Sequence, residues 1–86
     1  MRREPEFFGD TELALIYVAK KLKEALALED VLTAAQVEYL VEPDTYRGGI
    51  IFASERVGAF FYVAPDRVDE ARHVLRANRY KPYESQ

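Results

Sequence analysis

AFFYVAPDRVDEARHVLRAN, residues 59–78, reads as a strand delivered straight into a helix. Residues 59–64 place aromatic and β-branched side chains on both alternating faces, the pattern of a central strand with neither side left to water. Pro65 and Asp66 end it. The Asp66 carboxylate can accept from backbone N–H groups of the next turn, and Asp69 and Glu70 suit the positive end of the helix dipole. A helix is therefore predicted to begin here, with Val68, Ala71, Val74 and Leu75 as its core stripe and Asn78 as a left-handed C-terminal cap.

Working outward, residues 12–19 (ELALIYVA) set Leu13, Leu15 and Tyr17 against Ala14, Ile16 and Val18, so both faces are again apolar and a second central strand is expected. After the polar turn at 20–23, Leu22, Ala25, Leu28, Leu32 and Ala35 recur at helical spacing, in a segment rich in strong helix formers. Leu26 falls off that stripe. At Gln36 the period changes to two, and residues 37–42 alternate Val37, Tyr39 and Val41 with Glu38, Leu40 and Glu42, which marks an edge strand. Residues 43–58 hold Ile50, Ile51 and Phe52 and are too apolar for a bare loop, so a hairpin or short strand at 49–53 is expected. Residues 1–10 read as a flexible arm with Phe7 and Phe8 as anchors, and residues 11–86 as one domain. Pro82 limits the C-terminal tail to an edge strand or an extended segment.

This order is the ferredoxin-like βαββα(β) arrangement, an α+β fold with an antiparallel sheet and two helices on one face. Its first and third strands lie in the middle, and those are the two segments apolar on both faces. Two helices cover only one face, so the second must be covered otherwise. The reading is self-association, most simply as a dimer; the alternative is cover by the tail, arm and hairpin of the same chain.

Composition narrows the function classes. The chain has 86 residues, 49% hydrophobic and 31% charged, close to the size at which burial only just exceeds chain entropy. It has no cysteine, which removes disulfides and thiolate metal sites. No apolar run approaches the roughly 20 residues of a membrane span, and a cytoplasmic protein is expected. The net charge of −3 argues against non-specific binding to nucleic acid or anionic membrane.

Several segments resemble a family of small prokaryotic signal-transducing proteins of unknown function, similar in fold to the nitrogen-regulatory PII proteins. The residues that carry the resemblance are Ile16-Tyr17-Val18, then Glu24-Ala25-Leu26-Ala27-Leu28 and Val31-Leu32-Thr33-Ala34-Ala35, with Val37 opening the next strand. Gly48-Gly49, Phe61-Tyr62-Val63, Pro65, Asp66 and the helix from Val68 to Leu75 carry it through the closing half. The likeness covers residues 13–75 and rests on apolar positions. The chain departs from it at Gln36, where the family tends to have glycine, and in the additional IIFASERV segment. The resemblance implies a regulatory or interaction role, with the connection between the second and third strands as the contact region, and it brings no catalytic residues.

Tyr46-Arg47-Gly48-Gly49 is the candidate ligand- or partner-binding motif. Paired glycines can turn backbone N–H groups toward one point, and Arg47 can hold a carboxylate or phosphate; the ordinary explanation is a hairpin needing positive φ. Arg72, Arg76 and Arg79 form a basic stripe suited to an anion or acidic partner, or simply to water. His73 is the only histidine, and no second ligand at metal spacing accompanies it. Phe60, Phe61 and Tyr62 invite comparison with RNA-recognition sheets, but the basic glycine-flanked signature is missing and core packing is the ordinary account. No cofactor is implied. The sequence thus points to a non-enzymatic regulatory or interaction domain contacting a protein or small anion. A dimeric α/β-barrel type of enzyme, with Tyr17, Tyr39 and Tyr62 as its best polar candidates, and a structural interaction module are the alternatives.

Overall fold

The computed structural model describes residues 1–43 and 58–83. Along the chain run α1 (Pro5–Phe8), β1 (Ala14–Ala19), α2 (Leu22–Ala34), β2 (Leu40–Pro43), β3 (Ala59–Val63), a 3-10 turn (Pro65–Arg67) and α3 (Val68–Ala77). The fold is α+β. Among the described residues three strands form one antiparallel sheet in the order β1-β3-β2. The central position of β3 follows from its composition, because Phe61 and Val63 are fully buried on one face while Phe60 and Tyr62 are half-buried on the other. β1, expected in the middle, is an outer strand among the described residues.

Strict alternation in β1 does not survive. Leu15 pairs with Tyr62 and Tyr17 with Phe61, so Ile16 is an extra residue, a bulge. Ile16 is fully buried in the core and Tyr17 packs against the same cluster, leaving Leu15 and Val18 opposite Tyr62 and Phe60 on the other face. One inserted residue thus puts Ile16 and Tyr17 on the same side, where sequence alternation set them apart.

Both long helices pack on the face that carries Phe61, Val63 and Ile16. α2 contributes Ala25, Leu28 and Leu32, and α3 contributes Ala71 and Leu75, as the two stripes predict. Leu22 does not join them: it is the first helical residue and stays 63% exposed. Leu26 is exposed, as expected for a residue off the stripe.

The helix ends obey backbone geometry more than side-chain preference. Asp66 caps nothing, because Pro65 already starts a 3-10 turn, closed by the Arg67 N–H donating to the Ala64 carbonyl at 2.9 Å, and Asp66 falls inside it. α2 closes with the Gln36 N–H donating to Thr33 at 2.9 Å and the Val37 N–H to Leu32 at 3.0 Å, the two bonds of a Schellman motif. This puts Gln36 at φ 63°, in the left-handed region where glycine is favoured. α3 ends the same way, with Arg79 donating to Arg76 at 3.0 Å and Tyr80 to Leu75 at 2.9 Å. The left-handed residue is Arg79 at φ 70°, not Asn78 at φ −105°; Asn78 donates its side-chain amide to the Val74 carbonyl at 2.9 Å.

The two ends of the chain lie along the sheet margins. Arg3 donates to the Tyr39 carbonyl at 2.8 Å and Tyr39 to the Met1 carbonyl at 3.0 Å, a short parallel pairing beside β2. The Met1 amino group also donates to the Val37 carbonyl, and Arg3 Nε meets Glu38 Oε1 at 2.5 Å. The arm is therefore attached through its first three residues, whereas Phe7, expected as an anchor, is 53% exposed. On the opposite margin the Tyr83 N–H donates to the Ile16 carbonyl of β1 at 2.6 Å, with Pro82 buried beside it. Residues 80–83 lie against β1 at that one bond without forming a strand.

Candidate functional site

Tyr46, Arg47, Gly48 and Gly49, the motif picked out by sequence, lie outside the described residues, as does the strand expected at 49–53. The described part of the molecule offers a different concave feature. Where β1 gives way to α2, the C-terminal tail runs past the free edge of β1, and the three segments enclose an open cleft of about 390 Å³. Tyr17, Val18, Lys20 and Glu24 line it from one side and Lys81 and Tyr83 from the other.

Local structure fixes each wall. The bulge turns Tyr17 toward the helices, and its ring meets Tyr80 edge-on at 5.6 Å between centroids. Lys21 flanks α2 without a side-chain cap, so Glu24 in the first turn reaches back instead. Its Oε1 accepts from the Lys20 backbone N–H at 3.1 Å and its Oε2 from the Tyr17 hydroxyl at 2.6 Å. Both oxygens of the carboxylate are thereby occupied, and strand, turn and helix are tied at one point. Burial, then the hydrogen bond to Glu24 and its negative charge, push the Tyr17 hydroxyl well above the usual phenol range, so it keeps its proton. On the other wall the Schellman turn at Arg79 directs the chain back along β1, where Pro82 and the Tyr83 backbone bond hold it. Among the described residues neither Lys20 nor Lys81 pairs with a carboxylate.

The other sequence candidates are dispersed. Tyr39 is 1% exposed, with its hydroxyl donating to Glu29 Oε1 at 3.0 Å; burial leads in pushing its pKa up to about 12. Tyr62 lies on the outer face of the sheet, shifted upward by burial and then by the Glu42 carboxylate. Strand alternation splits the aromatic triplet, with Phe61 in the core and Phe60 and Tyr62 outside, so no continuous row of stacking rings is formed. Arg72 is half-buried, its Nε unbonded, and His73 is exposed. Among the described residues no cluster of His, Cys, Asp and Glu is arranged to hold a metal ion, and no helix is long and apolar enough to cross a membrane.

The outer face of the sheet is the second notable surface. Leu15, Val18, Leu40, Phe60 and Tyr62 share it through the pairings Leu15 with Tyr62, Val18 with Phe60 and Leu40 with Tyr62. Glu42 shares this face opposite Phe60; Leu40 is buried and the other four side chains are half-buried, on the side opposite both long helices. No protein-family model, curated protein or solved structure matches the chain.

Proposed function

We propose that this chain is a non-enzymatic interaction domain of the ferredoxin-like type that self-associates through the outer face of its sheet, in a regulatory role of the kind its sequence resembles. One observation carries the reading. Four half-buried side chains, Leu15, Val18, Phe60 and Tyr62, are gathered around the buried Leu40 on the face opposite α2 and α3, with Glu42 at its margin, and partly open apolar area of this kind supports an interaction site. A second copy presenting the same face would bury it symmetrically. The connection at 43–58, with Tyr46, Arg47, Gly48 and Gly49, belongs to the same proposal as the contact region for a protein or small anion.

Sedimentation velocity at two protein concentrations tests the assembly. The wild type is expected to sediment as a dimer at the higher concentration, and Phe60→Glu and Val18→Glu as monomers that keep the wild-type helical circular-dichroism signal. A wild type that stays monomeric at both concentrations ends the proposal.

A further inference from the structure

We propose that the cleft between β1, the start of α2 and the C-terminal tail is a binding site for a small phosphate monoester carried on a planar ring. The site does not depend on residues 46–49, and it shares only Val18 with the outer face of the sheet. Three features of its walls select this chemistry. First, Lys20 and Lys81 face the same concavity from segments 61 residues apart, and neither has a carboxylate partner among the described residues. Second, the one acidic group among the described lining residues, Glu24, is oriented by the Tyr17 hydroxyl and the Lys20 backbone N–H and makes no ion pair with either lysine. Two ammonium groups against one carboxylate leave a formal charge of one positive unit on the described lining, in a chain of net charge −3. Lysine acts on phosphate as a point charge, whereas flat carboxylates are better matched by the arginine fork, and no arginine lines the cleft. Third, the remaining lining is Tyr17, Tyr83 and Val18, which offer ring and aliphatic surface to an apolar body. About 390 Å³ lies within the range of small-ligand sites, and the walls are preset by the Tyr17–Glu24 bond and the Tyr83–Ile16 bond.

The test is a titration of the full chain with phenyl phosphate, followed by amide chemical shifts in NMR, beside inorganic phosphate and the neutral benzyl alcohol. Phenyl phosphate is expected to shift the amides of Val18, Lys20, Glu24, Lys81 and Tyr83 saturably, with the other two probes binding more weakly. The combined Lys20→Gln, Lys81→Gln variant should weaken phenyl phosphate about tenfold, the sum of two exposed charge contacts. Lys23→Gln, an exposed lysine on α2 that does not line the cleft, should leave affinity unchanged. All three lysines are exposed, so the variants keep the fold, and unchanged amide dispersion verifies it. Equal binding of benzyl alcohol, equal loss in Lys23→Gln, or undiminished binding in the double variant would each overturn the assignment. A dimeric protein without these shifts would remove the site and leave the self-association reading standing, while a monomer with them would do the reverse.

Discussion

Gln36→Gly is expected to stabilise the protein, although it removes a side chain and adds a glycine. At φ 63° the Gln36 Cβ crowds the following carbonyl, which costs an L-residue about 1–2 kcal/mol. Glycine escapes that crowding but gains freedom in the unfolded chain, which takes back about 0.4–1 kcal/mol. Gln36 is exposed and its side chain makes no hydrogen bond among the described residues, so little else is lost. The net gain is about 0.5–1 kcal/mol, or about 2–8 °C in a domain of this size. Thermal melts followed by circular dichroism at one fixed protein concentration read it directly, since self-association would otherwise move the midpoint. Gln36→Ala is the decisive control: alanine keeps the Cβ and hence the strain, so it should gain almost nothing. Arg79→Gly at φ 70° should behave as Gln36→Gly does, and Asn78→Gly should lose stability, because Asn78 is not left-handed and gives up its bond to Val74. A glycine at 36 that melts no higher than alanine there would refute the assignment of strain to that residue.

Tyr39→Phe should cost about 1 kcal/mol through loss of the bond to Glu29. Because the folded-state pKa of Tyr39 is raised to about 12, its contribution is complete below the unfolded value near 10 and fades as pH rises toward 12; denaturant midpoints between those pH values should fall less in Tyr39→Phe than in wild type. The Glu38 carboxyl is held below its ordinary range chiefly by the Arg3 hydrogen bond, so the attachment of the arm is present at neutral pH and lost on acidification below about pH 4. Protection of the Tyr39 amide in hydrogen exchange should drop there, and at neutral pH in Arg3→Ala, while the β3 amides stay protected. Phe61→Ala should cost about 3–5 kcal/mol and leave little folded protein at 37 °C, whereas Phe61→Leu should remain folded with a lower midpoint.

Long-period signals were legible in the sequence and junctions were not. The stripes Ala25-Leu28-Leu32 and Ala71-Leu75 are fully buried because helical spacing depends only on which residues recur. The same is true of Phe61 and Val63, whose strand sits centrally as its composition requires. Ile16 and Tyr17 alternate in sequence yet share a face, because alternation assumes a regular ladder and a bulge is decided by pairing with a strand more than 40 residues away. Asp66 and Asn78 carry the right side chains for caps, but the positions of the turns are set by Pro65 and by the need to bring Val37 and Tyr80 back over Leu32 and Leu75. Gln36 adopts at φ 63° the conformation glycine favours, and nothing in a glutamine side chain signals it. The cleft had no linear signature, since Lys20 and Lys81 meet only through the tail, and only Tyr17 among its residues stood out as a polar candidate.

The sheet margins bear on how two copies would meet. Among the described residues the sheet has three strands and so two edges, and unpaired N–H and C=O groups on an edge invite another strand. Here the β2 side is met by the pairing of residues 1–3 with Tyr39, and the β1 side by Tyr83 on Ile16, with the proline at 82 unable to donate beyond it. At Tyr39 and at Ile16, strand-to-strand association would first have to displace a segment of the same chain. No such displacement is needed at the outer face, where Phe60, Tyr62, Leu15, Val18 and Leu40 meet through side chains and require no main-chain partner. Under the proposed self-association, contact by face is the mode that leaves both chain ends in place, and Phe60→Glu is then expected to damage assembly more than a change that frees the tail.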